Sequence, residues 1–384
     1  MKVNNTTFYM GVLILSAIFL LVGNRIASGN MPAMDDAFTP SYYTGVVTRI
    51  IERVEDPHGH GEDFWFQTTY LFFEARLTSR GRRGEEITAE QHTTTTPQME
   101  DEREVAVGDR ILLIFDDFNN RYIFTNYVRI NTIVILGVVF LALVILFGRK
   151  KGINAIVALG FTCLAVFLIF VPAILSGRNI YITTFIVCLF AITSTLMLVI
   201  GPNKKALSAM LGCLGGVLLA GILMFIMDIA LNLTGLTDHE SRALLNIPTQ
   251  HPIDLRALIF AGVIIGAVGA IMDVAMSISS SLWEVKQAGG DSNFTSITKS
   301  GINIGKDILG TMLNTLILAY IGSSLSLILL IYADTTSMVE LFNAELIIVE
   351  FLRALVGSFG MFLTIPLTAG ICGWLYTRED EEWG

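Results

Sequence analysis

Residues 269–284 read GAIMDVAMSISSSLWE, an apolar run with an aspartate inside it and a serine patch and a glutamate at its end. Set on a helix, Asp273, Ser277, Ser280 and Glu284 follow at i, i+4, i+7 and i+11 and share one stripe. Such a stripe can do proton or ion transfer: the carboxylate takes up and releases a proton, and the hydroxyls relay it or complete an ion's ligand shell. In the next apolar stretch Asn303, Asp307, Thr311 and Asn314 recur at helical spacing. An ionised carboxylate facing lipid at mid-bilayer costs ~2.5–3.5 kcal/mol, so it turns to protein or water, or stays protonated. Two readings share these residues, a polar glue between helices and a relay lining a path; the cost of intramembrane carboxylates favours the path. The loop between the two stretches makes them antiparallel neighbours. Glu284 then lies level with Asp307, and Asp273 with Asn314 to Leu318, as two tiers of one seam.

Other candidates carry less. Asp228, in FIMDIALNLTG, reads either as an interfacial helix-end residue or as a further pathway residue. Glu350 and Arg353 stand three apart and read as a pair. In EDPHGHGEDF, His58 and His60 lie among Glu55, Asp56, Glu62 and Asp63, donors that suit a divalent metal; a solvated H-x-H turn is the plainer alternative. Cys163, Cys188, Cys213 and Cys372 each sit in an apolar run without a C-x-x-C neighbour and read as packing residues. H-E-x-x-H, G-x-S-x-G and Walker patterns are absent. No catalytic group and no cofactor is nominated, and the chain is not expected to be an enzyme.

The elements that position these groups are those of a membrane protein. Of 384 residues, 53% are hydrophobic and 15% charged, with mean hydropathy +0.63, against about 25% charged in soluble domains. A net charge of −9 and a longest basic run of Arg149-Lys150-Lys151 exclude nucleic acid as partner. Eight stretches approach the ~20 residues of a spanning helix: 8–24, 131–148, 153–175, 180–200, 206–232, 256–279, 305–332 and 351–376. If they alternate, Arg149-Lys150-Lys151, Lys204-Lys205, Lys286, Lys299, Lys306 and Arg378 fall on one face. That bias places both termini in the cytoplasm and residues of about 25–130 outside. The first stretch reads as an uncleaved anchor: it is long for a signal peptide, and Asn24-Arg25 precede the small residues Ala27-Ser28-Gly29.

Residues 31–130 change character. YYTGVVTRIIERV, FWFQTTYLFFEARLTS, DRILLIFDDF and RYIFTNYVRI alternate or are rich in β-branched and aromatic residues, with turn signals at VGDRI and DDFNNRY. HTTTTPQ reads as a polar loop. The expected fold is an α-helical polytopic membrane protein with about eight spans and a small extracytoplasmic β-barrel or sandwich between the first two. Its divisions are an anchor (1–30), the β-rich domain (31–130), seven membrane helices (131–377) and a tail (378–384).

GAIMDVAMSISSSLWEV, followed by SGINIGKDILGTMLNTLILAYIGSSL, resembles the YibE/F-like family of bacterial multi-pass membrane proteins; GPNKKALSAMLGCLGG fits the same family. The resemblance implies a plasma-membrane protein described as a transporter or permease and brings no site residues with it. The expected function is secondary transport of an unnamed small solute with protons or ions along the Asp273–Asp307 seam. The alternative is an accessory protein whose outer β domain binds an envelope partner, the polar seam only holding helices together. The lipid bilayer is the obligatory partner. Gly262, Gly266 and Gly269 permit a second copy to approach.

Overall fold

A computed structural model describes residues 5–31, 41–56, 67–79, 81–95, 103–117, 119–237, 239–247, 249, 251–289, 293–334 and 337–377. His58, His60 and the tail lie outside the described residues. The chain divides into two compact units, 33–143 and 1–32 with 144–384.

The first unit contains five strands, β1 (Tyr42–Asp56), β2 (Gln67–Leu77), β3 (Glu86–Thr95), β4 (Arg110–Asp116) and β5 (Arg121–Tyr127), closed as a barrel in the order β1-β2-β3-β5-β4. All neighbours are antiparallel except β3 and β5. Alternation drives it: Leu71, Phe73, Ala75 and Leu77 of β2 point inward with Val47, Ile111 and Leu113. The turn signals hold, with Gly108 at φ +93° and Asn120 at φ +50°. One expectation fails. His92 to Thr95 are not loop but the end of β3, paired to Tyr70 through Gln67 of β2. The strand hides because its inward positions are Ala89, Gln91 and Thr93 rather than large apolar residues. Gln91 is buried and satisfied, donating to the Arg103 carbonyl at 3.1 Å and accepting from Val105 N at 2.9 Å. On the outer wall Glu90 is also buried, Oε1 lying 2.8 Å from Arg121 Nη1 and 3.0 Å from His92 Nε2.

The helices are α1 (Asn5–Ala27), α2 (Ile130–Ala165), α3 (Val171–Leu175), α4 (Ile180–Val199), α5 (Lys204–Leu231), α6 (His239–Leu244), α7 (Leu255–Gln287), α8 (Phe294–Ser323), α9 (Leu325–Asp334), α10 (Met338–Asn343) and α11 (Glu345–Thr377). Among the described residues seven helical stretches are long and apolar enough to cross a membrane. The expected stretches 131–148 and 153–175 lie within one of these, Ile130–Leu175, as two helical segments that meet at a sharp kink at Arg149 (φ 49°, ψ −127°); the second passes through a π-helical turn, Val166–Phe170, into α3. Gly152 permits the bend: a Cβ there would stand 2.3 Å from the Val144 carbonyl oxygen. Asn179, Asn203 and Asp254 start α4, α5 and α7 by accepting from the third backbone amide beyond each. Asn232, left-handed at φ 51°, ends α5. Pro366 lies inside a continuous α11, on its exposed side.

The core of the helical unit gathers α4, α5, α7, α8 and α11 around Ile264, Ile271, Met224 and Met361, all fully buried. Small residues set its spacing. A Cβ on Gly212 or Gly216 of α5 would stand 2.1 Å from Thr368 Oγ1 or 1.8 Å from Thr364 Oγ1 of α11, and one on Gly360 of α11 would stand 2.7 Å from Ile271 of α7. The two backbones thus approach as only glycine allows. Gly216→Val is expected to lower the thermal unfolding midpoint in detergent, by the ~1–3 kcal/mol of overpacking. Gly262→Ala meets nothing within 4 Å and should leave the midpoint unchanged or raise it through helix propensity. Equal effects at the two positions would refute this account of the core.

Candidate functional site

α7 is the central helix of its unit and has two faces. One is buried, from Ala257 through Val263, Ile271, Val274 and Ile278 to Leu282, against α4, α5, α8 and α11. The other carries Gly262, Gly266, Gly269, Asp273 and Glu284, all exposed, with Ser277 and Ser280 half-buried. A Cβ on Gly262 or Gly269 would meet nothing within 4 Å, and on Gly266 only the Tyr320 hydroxyl, at 3.2 Å. Asp273 has neither a hydrogen-bond nor an ion-pair partner among the described residues. Beside it, Gly269 and Met272 help to line a cavity of about 340 Å³ between α2, α4 and α7, whose polar members are Thr162, Thr195 and Cys188.

α8 lies next to α7, yet it does not turn its polar stripe toward it. Its contact ridge is Gly301 and Gly305, where a Cβ would stand 2.7 Å from Ala369 and 2.2 Å from Ile365 of α11. Asn303, Asp307, Thr311 and Asn314 occupy the opposite, exposed face, and Thr311 Oγ1 bonds only within its own helix, to the Ile308 carbonyl. The facing seam expected from the sequence is therefore not formed within one chain. The register differs too. Gly301 abuts Leu282 and Gly266 abuts Tyr320, so Asp307 stands about level with Ser277, and Asp273 with Met312. Both shifts have one cause: glycines permit the closest helix contact and decide which face of α8 docks, leaving its polar face outside.

The remaining candidates are mostly accounted for by partners. Asp228 is buried and takes Arg256 Nη2 at 3.1 Å and Nε at 3.3 Å, an ion pair joining the end of α5 to the start of α7. Glu350 pairs with Arg353 and accepts from Ser324 Oγ at 2.6 Å. Glu345, first residue of α11, accepts from Thr234 N and Gly235 N, each at 2.7 Å, and from Thr234 Oγ1 at 2.6 Å. One polar cluster escaped the sequence reading. Ser208 Oγ, Ser279 Oγ and Tyr376 Oη lie 2.6–3.0 Å from one another, buried between α5, α7 and α11. Within the serine patch it is Ser279, not Ser277 or Ser280, that bonds across helices. The available signal was its periodicity with the buried Ile271, Ala275 and Leu282. Cys188, Cys213 and Cys372 are buried free thiols, and no cluster of three or more His, Cys, Asp or Glu suited to a metal occurs among the described residues.

The family described as YibE/F-like protein matches residues 136–378, more than half of the chain, and the chain belongs to that family. No curated protein and no solved structure matches it.

Asp228 and Asp273 should part on mutation. Asp228→Ala strands Arg256 and is expected to cost about 1–3 kcal/mol, less than a fully buried pair because Arg256 stays 44% exposed. Asp273→Asn removes no contact and should change stability by less than about 0.5 kcal/mol. Chemical denaturation of the purified variants measures both, and a large loss for Asp273→Asn would mean that the carboxylate is structural.

Proposed function

We propose that this member of the YibE/F-like family is a secondary transporter or permease, in which Asp273 accepts the proton or ion that drives movement of a small solute. The supporting observation is the unpartnered Asp273 carboxylate on a glycine-floored face of the central helix, beside a cavity of about 340 Å³. An intramembrane acid that holds no helices together is left with water, a proton or an ion as its company. Gly262 and Gly269 keep the face open along the helix, since no neighbour fills either of them. Ser277 and Ser280 continue the track toward Glu284 at the end with Lys286. On α8, Asn303, Asp307, Thr311 and Asn314 supply a second polar row. In this reading a neighbouring copy or a water file covers that row.

The proposal includes an orientation, drawn from the Lys and Arg bias of the loops, with both termini in the cytoplasm of a bacterial cell and the barrel outside its plasma membrane. The solute stays unassigned, because the cavity's few polar groups select no charge or shape.

Reconstituted in liposomes under an imposed pH gradient, the intact chain is expected to admit protons, read by an internal pH dye. Asp273→Asn should abolish the signal in protein that still inserts and melts normally. Deleting residues 35–125 should leave part of it. Flux that survives Asp273→Asn rules out the relay. Flux lost on the deletion but not on the substitution favours the accessory reading, with the barrel binding an envelope partner.

A further inference from the structure

Away from the α7 face, a groove of about 840 Å³ runs between α1 and the turn from α3 into α4. Leu15, Ile18, Val22, Ile169, Ile182 and Ile186 wall it, and no carboxylate lines it. Its polar members are Arg178, Asn179 and Thr183. Arg178 Nη2 donates to the Ile26 carbonyl at 2.9 Å, which fixes the guanidinium at the end of α1. Neither Arg178 nor Arg25, in the last turn of α1, forms an ion pair among the described residues.

We propose that this groove holds one acyl chain of an anionic phospholipid, with the lipid phosphate on Arg178. The dimensions fit. From Leu15 to Ala27 the α1 wall runs about 18 Å at 1.5 Å per residue, slightly more than half of a ~30 Å hydrocarbon core, so a chain from a single leaflet fills it. The volume lies in the ~300–1,000 Å³ range of small-ligand sites. The charge fits as well. A guanidinium has five N–H donors, and the Ile26 carbonyl occupies one; the rest form the fork that suits a phosphate. The first turn of α4, at Asn179 and Ile182, brings its positive end to the same place. The walls are open to a lipid: Leu15 is 67% and Ile182 60% exposed. Capping the end of α1 is a second role for Arg178, and the test separates the two. The inference requires only that these helices sit in a bilayer and is independent of transport.

The full chain is placed in nanodiscs containing phosphatidylglycerol or phosphatidylcholine with the same diazirine-bearing acyl chain, illuminated, and its labelled peptides identified by mass spectrometry. Phosphatidylglycerol is expected to label residues 15–27 and 173–186 about fivefold more than phosphatidylcholine, the preference one basic side chain gives near an anionic headgroup. Arg178→Gln can still donate to the Ile26 carbonyl but carries no charge; it should abolish the preference and keep the labelling. Ile182→Trp should fill the groove and reduce labelling by both lipids there and not elsewhere. Excess inorganic phosphate should not compete. Equal labelling by the two lipids, a preference that survives Arg178→Gln, or labelling unchanged by Ile182→Trp overturns the proposal.

Discussion

The close approach of α5 and α11 is the contact on which the helical unit depends. At every fourth residue, Ser208, Gly212, Gly216 and Ala220 of α5 meet Tyr376, Thr368, Thr364 and Gly360 of α11. In lipid there is no hydrophobic drive to pull helices together, so dispersion between tightly packed surfaces and a few hydrogen bonds must supply the affinity. The glycines provide the packing. Hydrogen bonds fasten both ends: Ser208, Ser279 and Tyr376 at one, the Glu345 contacts to Thr234 and Gly235 and the Asp228–Arg256 pair at the other. The fit has a cost, because Thr368 Oγ1 is buried without a partner. Its position against Gly212 indicates that shape outweighs one unsatisfied hydroxyl.

Once α5 and α11 are joined, α7 has little freedom. Ile271 fits beside Gly216 and Gly360, and Ser279 bonds to both partners through their side chains. These contacts fix the rotation of α7 about its axis, and that rotation puts Asp273 on the opposite side. The position of the carboxylate is thus a consequence of core packing and not of any bond it makes. α8 is held differently, through the one ridge of Gly301 and Gly305 and the Gly373–Thr298 contact, mostly to α11. Little of its surface is buried in the unit.

How much of this was legible follows from range. The apolar stretches, the asparagine and aspartate caps and the barrel's turns are local, and the sequence displays them directly. Helix stripes are local as well, so the membership of the Asp273 and Asp307 rows was readable. Their direction was not, because it depends on which glycine ridge finds which partner. Gly262, Gly266, Gly301 and Gly305 look alike in the sequence, yet the second pair is packed and the first is mostly open. β3 was missed for a related reason: Gln91 is inward and satisfied by Arg103 and Val105, 12 and 14 residues further on and outside the strand. Ser279 was overlooked because its partners Ser208 and Tyr376 lie 71 and 97 residues away.

The two kinds of glycine bear on what the unpartnered face is for. A glycine costs about 0.5–1 kcal/mol relative to alanine inside a helix. At Gly212, Gly216, Gly301, Gly305 and Gly360 a close contact offsets that cost. At Gly262 and Gly269 nothing in the chain does, and Asp273 adjoins them on the same face. Three unfavourable choices on one face of the most enclosed helix are consistent if something outside the fold occupies that face. A polar glue within one chain leaves all three unexplained, since no neighbour fills Gly262 or Gly269 and Asp273 has no partner among the described residues. A lipid tail accounts for the glycines but not for the carboxylate. Water with a proton or ion accounts for both, and a second copy does so only if it brings polar groups to Asp273.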